Sequence, residues 1–230
     1  MPPSLAIIAA LPREIAALVR GTKPDAEWLR RGIHLHRLPH AIVVAGGMGS
    51  QRVTQAFQAA LAAAPITTVV STGLAGACTA TLAVGDVVEA TIVIEARTGE
   101  RFAARTSQTP HILVTTETIA SIREKARLAE TYAAAIVDME AATVARLAAA
   151  HSLSFRAIKA VSDAHDFELE SLTRFAGKNG HFRTGAFALH TALRPQSWPK
   201  AMQLGRASTG ALTNLHKALL EVMREAETST

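Results

Sequence analysis

The stretch AIVVAGGMGSQRVTQAFQAALAAAPITTVVST, running from Ala41 to Thr72, holds a strand, a helix and a second strand. Ala41-Ile-Val-Val-Ala45 is a short apolar run stopped by Gly46-Gly47-Met48-Gly49. A run that short, closed by glycines, reads as a buried strand. Beyond it, Val53, Ala56, Phe57, Ala60 and Leu61 recur at the three- and four-residue spacing of one helical face. Thr67-Thr-Val-Val-Ser-Thr72 is rich in β-branched residues and predicts another buried strand, closed by Gly73-Leu-Ala-Gly76.

The same alternation extends both ways. Upstream, Leu5 to Ala10 predicts a strand, Arg13 to Arg20 a helix behind Pro12, and Ile33 to His36 a half-buried strand. Downstream, Val87 to Ile94 and His111 to Val114 read as strands and Ile119 to Glu130 as a helix. Then come a strand at Ala133 to Val137, a helix at Met139 to His151 and a strand at Phe155 to Val161. From about Asp166 the chain reads as mostly helical, broken near Trp198 by Pro195 and Pro199. Strands alternating with helices predict an α/β fold: a single-domain, three-layer α/β/α sandwich with a central mixed, largely parallel sheet. No repeat, low-complexity segment or linker interrupts it.

Composition agrees. The chain has 230 residues, of which 49% are apolar, which excludes disorder for its bulk. Its 46 alanines are one residue in five, suiting helices packed closely on a sheet. The single cysteine, Cys78, excludes an intrachain disulfide framework and a cysteine zinc site, and suits a reducing cytoplasm. The net charge of +5 is uneven: Ser171 to Leu220 carries seven basic residues and no acid, leaving 17 basic against 19 acidic residues elsewhere. Total charge is therefore no argument for nucleic-acid binding. The N-terminus lacks the basic flank of a secretory signal, and no stretch reaches the length of a membrane helix.

In open α/β sheets, ligands sit beyond the carboxyl ends of the strands. Those ends carry Glu14, the turn Gly46 to Gly49, Asp138-Met139-Glu140 and Ser162-Asp163. Glu14, Glu140 and Asp163 are predicted to converge on one cleft. Each also has a structural reading: Glu14 as a first-turn acid at a helix N-terminus, and Asp138, Glu140, Ser162 and Asp163 as helix caps. The glycine turn either holds a phosphate at a helix start or is simply a tight turn. His34 and His36 alternate on a strand and are read as packed or solvated, with no metal.

Four stretches resemble the nucleoside phosphorylase/nucleosidase superfamily, most closely its methylthioadenosine/S-adenosylhomocysteine nucleosidase-like branch. They are Ile7-Ile-Ala-Ala-Leu-Pro-Arg-Glu14; Ser71-Thr-Gly-Leu-Ala-Gly76 with Leu82 to Val88; Val137-Asp-Met-Glu-Ala141; and Ala160-Val-Ser-Asp-Ala-His-Asp166. The resemblance implies cleavage of an N-ribosidic bond without a cofactor. It makes Asp163 the acid that protonates the departing base, which requires a buried carboxyl able to hold a proton near neutral pH. An Asp at this position favours adenine. Ser162 orients that acid, Glu140 binds the ribose hydroxyls, Met139 packs on the sugar, and Glu14 activates the attacking water. Ile119 and Ala120 line the base pocket, and Gly73 and Gly47 border the nucleoside.

There are departures. Asp138 stands for the family's Glu, Leu74 for a Ser near the nucleophile, and Ser71 for the Arg that grips phosphate in phosphorolytic members. Water is therefore the expected nucleophile. Arg13 and Arg52 leave phosphorolysis open as the alternative, and Leu74 leaves open a non-catalytic nucleoside- or lipid-binding role. The resemblance also implies a homodimer whose second copy helps close the 5′ side. The pattern from Arg194 to Ser208 looks like the tail of hopanoid-associated phosphorylases, which implies a lipid-linked substrate, adenosylhopane. The tail's Met202, Leu204, Leu212, Leu215, Leu219 and Val222 lie roughly on one side of a helix. That side either packs on the core or, with the basic residues, meets a membrane surface.

Overall fold

The computed structural model describes residues 5–104, 110–168 and 198–228, with the side chains of 198–207 excepted. In chain order the strands are β1 (Leu5–Ala9), β2 (His34–Arg37), β3 (Ala41–Ala45), β4 (Thr68–Ala77) and β5 (Val87–Ala90). They continue as β6 (Ile92–Glu95), β7 (Arg101–Ala103), β8 (Ile112–Thr115), β9 (Ala134–Asp138) and β10 (Ser154–Asp163). The helices are α1 (Pro12–Ile15), α2 (Ala26–Arg30), α3 (Ser50–Ala63), α4 (Ile122–Tyr132), α5 (Ala141–Ala150) and α6 (Trp198–Thr228).

One mixed sheet carries all of these strands, in the order β2-β3-β1-β4-β9-β8-β6-β7, with β10 beside β4 and β5 beside β10. The central pairs β1–β3, β1–β4 and β10–β4 are parallel, while β2, β5 and β7 pair antiparallel at the margins. Successive side chains of a strand point to opposite faces, and β1 shows the three layers directly. Leu5, Ile7 and Ala9 pack with Ile15, Leu18 and the α6 residues Leu215 and Leu219. Ala6 and Ile8 face the other way, onto Val53, Ala56 and Phe57 of α3 and Val144 of α5. The alanines of α5 (Ala141, Ala142, Ala145 and Ala148) are buried, so that helix lies close against the strands.

Several boundaries differ from the sequence reading. The helix behind Pro12 ends at Ile15, because the chain turns there to bury Ile15 and Leu18 together. β4 is not closed at Gly73 but runs on to Ala77. The predicted strand from Val87 to Ile94 is two strands: β5 pairs with β10 and β6 with β8, so the chain changes neighbour at Thr91. α4 begins after Ser121, whose hydroxyl caps it by accepting from the Glu124 amide, so Ile119 and Ala120 lie in the preceding loop. Pro199 does not break α6 but sits in its first turn, where a missing N–H costs little. Pro195 and residues 169–197 lie outside the described residues.

Of the tail's apolar side, Leu215, Leu219 and Val222 are buried together with Ala211 in the sheet core and Leu212 packs against it. That stretch is the packed helix of the two readings. Met202 and Leu204 lie outside the described side chains, as do the tail's basic residues other than Lys217, which is exposed. Among the described residues, no helix is long and apolar enough to cross a membrane.

Candidate active site

The candidate site lies toward the carboxyl end of β4, where the glycines of Ser71-Thr-Gly-Leu-Ala-Gly76 lie against two acidic side chains. At Gly73, φ is +130°, and a Cβ there would sit 3.0 Å from Glu14 Oε2. The missing side chain lets Glu14 lie along the strand and accept the Leu74 amide on Oε1 at 3.2 Å. Its Oε2 accepts the amides of Ala10 and Leu11 at 3.1 and 2.8 Å. Glu14 is thus a first-turn acid, as the structural reading had it, whose carboxylate also bridges the turn after β1 and the backbone of β4. At Gly76 a Cβ would come within 2.9 Å of Asp163 Oδ2, so a second glycine admits a second carboxylate.

Asp163 owes its aim to an irregularity in β10. The register with β4 shifts between Val161 and Asp163, leaving Ser162 at a bulge, a device that re-aims a side chain. Ser162 Oγ donates to Asp163 Oδ1 at 2.6 Å. The other oxygen, Oδ2, forms an ion pair with Lys125 Nζ, with both side chains buried. Asp163 is therefore not an isolated buried carboxyl: a buried cation faces it.

A second buried lysine, Lys159 of β10, organises the remaining acids. Its Nζ lies 2.8 Å from Asp138 Oδ2 and donates to the Thr72 carbonyl at 3.1 Å. Asp138 is a cap, as one reading held: Oδ2 accepts the Ala141 amide at 2.9 Å, and Oδ1 accepts from Thr115 Oγ1 at 2.6 Å. Glu140 makes no capping bond to its own helix. Its Oε1 instead reaches back 91 residues and accepts the Gly49 amide at 2.8 Å, at the start of α3. The glycine turn that could have cradled a phosphate therefore holds a carboxylate of the protein itself. Gly47 (φ +108°) is anchored there by its amide, which donates to the Ala10 carbonyl at 2.8 Å.

Charge states follow from this packing. Burial raises Glu14 above the ordinary carboxylate range, against the pull of the Leu11 amide and Lys159. Burial, reinforced by the Asp138 carboxylate, pushes Glu140 up to about 7. Burial works against the charge of Lys159, but Asp138, Glu140 and Glu14 outweigh it and hold its pKa above the usual lysine value. For Glu140 the folded chain binds a proton more tightly than the unfolded one, for which 4.5 is the ordinary value. Its contribution to stability is therefore fully present below about pH 4.5 and is lost as pH rises through about 7. Glu140→Gln is expected to raise the urea midpoint relative to wild type at pH 8 and to leave it nearly unchanged at pH 4.5. An equal shift at both pH values would show that burial of the charge is not the cause.

Other predicted residues fall around this centre. Met139 is half-buried and, with Met48, Gly49, Thr143 and Leu147, lines a cavity of about 560 Å³ whose lining includes neither Glu14 nor Asp163. Ala120 is buried beside Leu128 and Cys78, and Ile119 is half-buried next to it. Arg52, one of the two candidate phosphate ligands, donates to the carbonyls of Gly46 and Gly32 at 2.6 and 2.7 Å and to Gln55. Arg13 is exposed. The Leu74 side chain packs against the apolar core, and only its backbone meets Glu14. His36 is buried, with Nδ1 2.8 Å from Thr22 Oγ1. Among the described residues, no group of three metal-ligating side chains assembles.

Sequence reasoning missed both lysines, although each left a signal. Lys159 is a lone charge inside the apolar run Ala157-Ile-Lys-Ala-Val161, and Lys125 shares the buried face of α4 with Leu128.

A family profile described as the phosphorylase superfamily matches residues 4–113 and 98–184. A search of curated proteins finds no match. Among solved structures, the chain resembles the Arabidopsis thaliana 5′-methylthioadenosine nucleosidase in apo form, with a TM-score of 0.70 at 17% identity over 98% of this chain and 96% of that one. A Helicobacter pylori MTAN mutant with 5′-methylthioadenosine in its active site gives 0.63 at 16% identity, over 80% and 95%. A Helicobacter pylori futalosine hydrolase mutant gives 0.59 at 17% identity, over 83% and 98%. At such identities these likenesses speak for the fold.

Proposed function

The chain belongs to the phosphorylase superfamily, and we propose that it is a nucleosidase that releases adenine from a 5′-substituted adenosine by hydrolysis. The observation that carries this reading is the placement of Glu14 and Asp163 against the same end of β4, at Gly73 and Gly76. At about 3.3 Å per residue, three residues of strand set Gly73 and Gly76 roughly 10 Å apart, the scale of a nucleoside. Glu14, whose pKa burial raises, takes a proton from water as the water attacks C1′. Asp163, oriented by Ser162, gives a proton to N7 of the leaving base. Glu140, held at the start of α3, binds the ribose hydroxyls, and its negative charge favours the positively charged sugar of the transition state. Met139 packs on the sugar, Ile119 and Ala120 on the base, and Gly47 and Gly73 border the nucleoside.

Water is favoured over phosphate by what occupies the anion positions. Ser71 replaces the Arg of phosphorolytic members, Arg52 is spent on backbone carbonyls, and Glu140 takes the Gly49 amide. The test is to incubate the protein with 5′-methylthioadenosine with and without phosphate. Adenine and the free sugar are expected at the same rate in both; strict phosphate dependence with a sugar 1-phosphate as product refutes the proposal. The 5′ group is to be read from a panel that includes long apolar substituents, adenosylhopane among them, which the tail's resemblance nominates. We further propose a cytoplasmic homodimer, checked by light scattering.

A further inference from the structure

The scheme above gives no role to Lys125, the cation paired with Asp163. Lys125 is 1% exposed and comes from α4. Its Nζ meets Asp163 Oδ2, the Ala164 carbonyl at 2.8 Å and the Phe167 carbonyl at 3.3 Å. Three acceptors match the three protons of an ammonium, as a buried cation requires. A carboxylate held in this way is a poor starting point for an acid, since the departing base needs a proton that the carboxylate lacks. Two donors touch Asp163 in the described structure, the Ser162 hydroxyl and the Lys125 ammonium. Of the two, the ammonium is by far the stronger acid.

We propose that Lys125 is a positioning residue that supplies, through Asp163, the proton that leaves with the base. This rests on the hydrolytic reading above and deepens it. As the C1′–N9 bond lengthens, its electron pair moves onto the base and N7 becomes more basic. A Lys125 N–H bond breaks as its proton bonds to Asp163 Oδ2, and the O–H bond so formed breaks in turn as that proton passes to N7. Lys125 is left as a neutral amine and Asp163 as a carboxylate. The attacking water bonds to C1′ and loses its proton to Glu14. Glu14 then releases that proton to solvent and Lys125 regains one, so protons balance over the cycle.

Among the described residues, other ionisable groups stand near the pair. Cys78, facing the pair from just beyond β4, is pushed up to about 12 by burial and remains a thiol. Glu124 of α4 is held below the usual range by Arg127 and remains ionised. His165 and Asp166 lie on the turn whose carbonyls Lys125 binds.

The test is the pH profile of kcat/KM for adenine release from 5′-methylthioadenosine in wild type, Lys125→Met and Lys125→Arg, with Asp163→Asn alongside. Wild type is expected to hold its rate further into alkaline solution than a chain in which a carboxyl alone carries the proton, because a simple ammonium is a much weaker acid than a carboxyl. In Lys125→Met, the rate relative to wild type should fall by about tenfold per pH unit on the alkaline side, because Asp163 alone must hold the proton. Lys125→Arg keeps the charge but cannot give up a proton in this range, and should lose about 10²-fold without rescue. A wild-type profile in Lys125→Arg, or a pH-independent loss in Lys125→Met, makes the lysine merely structural and overturns the proposal. If neither variant folds, the wild-type profile decides: a single ionisation that ends activity below pH 8 places the proton on Asp163 alone. Full activity in Asp163→Asn instead overturns the general-acid reading itself, so the two failures are distinguishable.

Discussion

If Asp163 is the general acid proposed above, Asp163→Asn is expected to lower adenine release by about 10²–10⁴-fold, the loss that follows removal of a positioned general acid. The substitution keeps the shape of the side chain. Its amide oxygen can still accept the Ser162 hydroxyl, which lies 2.6 Å from Oδ1 in the native chain. What disappears is the capacity to carry a proton. The amide nitrogen also faces Lys125 as one donor facing another, so a buried ammonium loses its counter-ion. Stability should therefore fall as well, and the rate must be taken at saturating substrate on protein shown by circular dichroism to be folded. A wild-type kcat in that preparation removes Asp163 from the mechanism.

Lys159→Met destabilises the fold by about 3–5 kcal/mol at pH 8, the cost of leaving buried charge unpaired. Asp138 lies 2.8 Å from this ammonium, and Glu140 and Glu14 both feel its field. Methionine fills a similar volume, so packing changes little and the electrostatic term dominates. The sign of the pH dependence follows. Without Lys159, the folded-state affinity of Glu140 and Glu14 for protons rises further, so the variant is least stable at high pH and recovers as pH falls and these acids take up protons. Urea unfolding of both proteins at pH 5 and pH 8 measures this. A deficit that does not shrink at pH 5 would point to lost packing instead. Adding Asp138→Asn to Lys159→Met should restore part of the stability, because the acid nearest the vacancy is then neutral.

The layers were legible in the sequence because burial on both faces leaves short apolar runs, and β1, β3 and β4 are such runs. The candidate acids were legible because each lies within a few residues of a strand's carboxyl end. Less of β4 was readable. Glycines ordinarily punctuate a strand, and Gly73 and Gly76 read as its end. Here they lie within it, because Glu14 and Asp163 approach too closely for any Cβ. β7 escaped notice because three residues at an edge are too short a run to establish a period.

Residue order along the chain was enough to show the alternation of strands and helices, the positions of Glu14, Glu140 and Asp163, and a Ser at position 71. These are local matters of residue type and order along the chain. What stands beside each acid depends on the packing of distant segments. Lys125 comes from a helix 38 residues before Asp163, and the Gly49 amide comes 91 residues before Glu140. A carboxylate's charge and reach depend on such neighbours, which share space with it and not sequence. The pairing of each acid with its cation or amide is therefore a property of the packed sheet end.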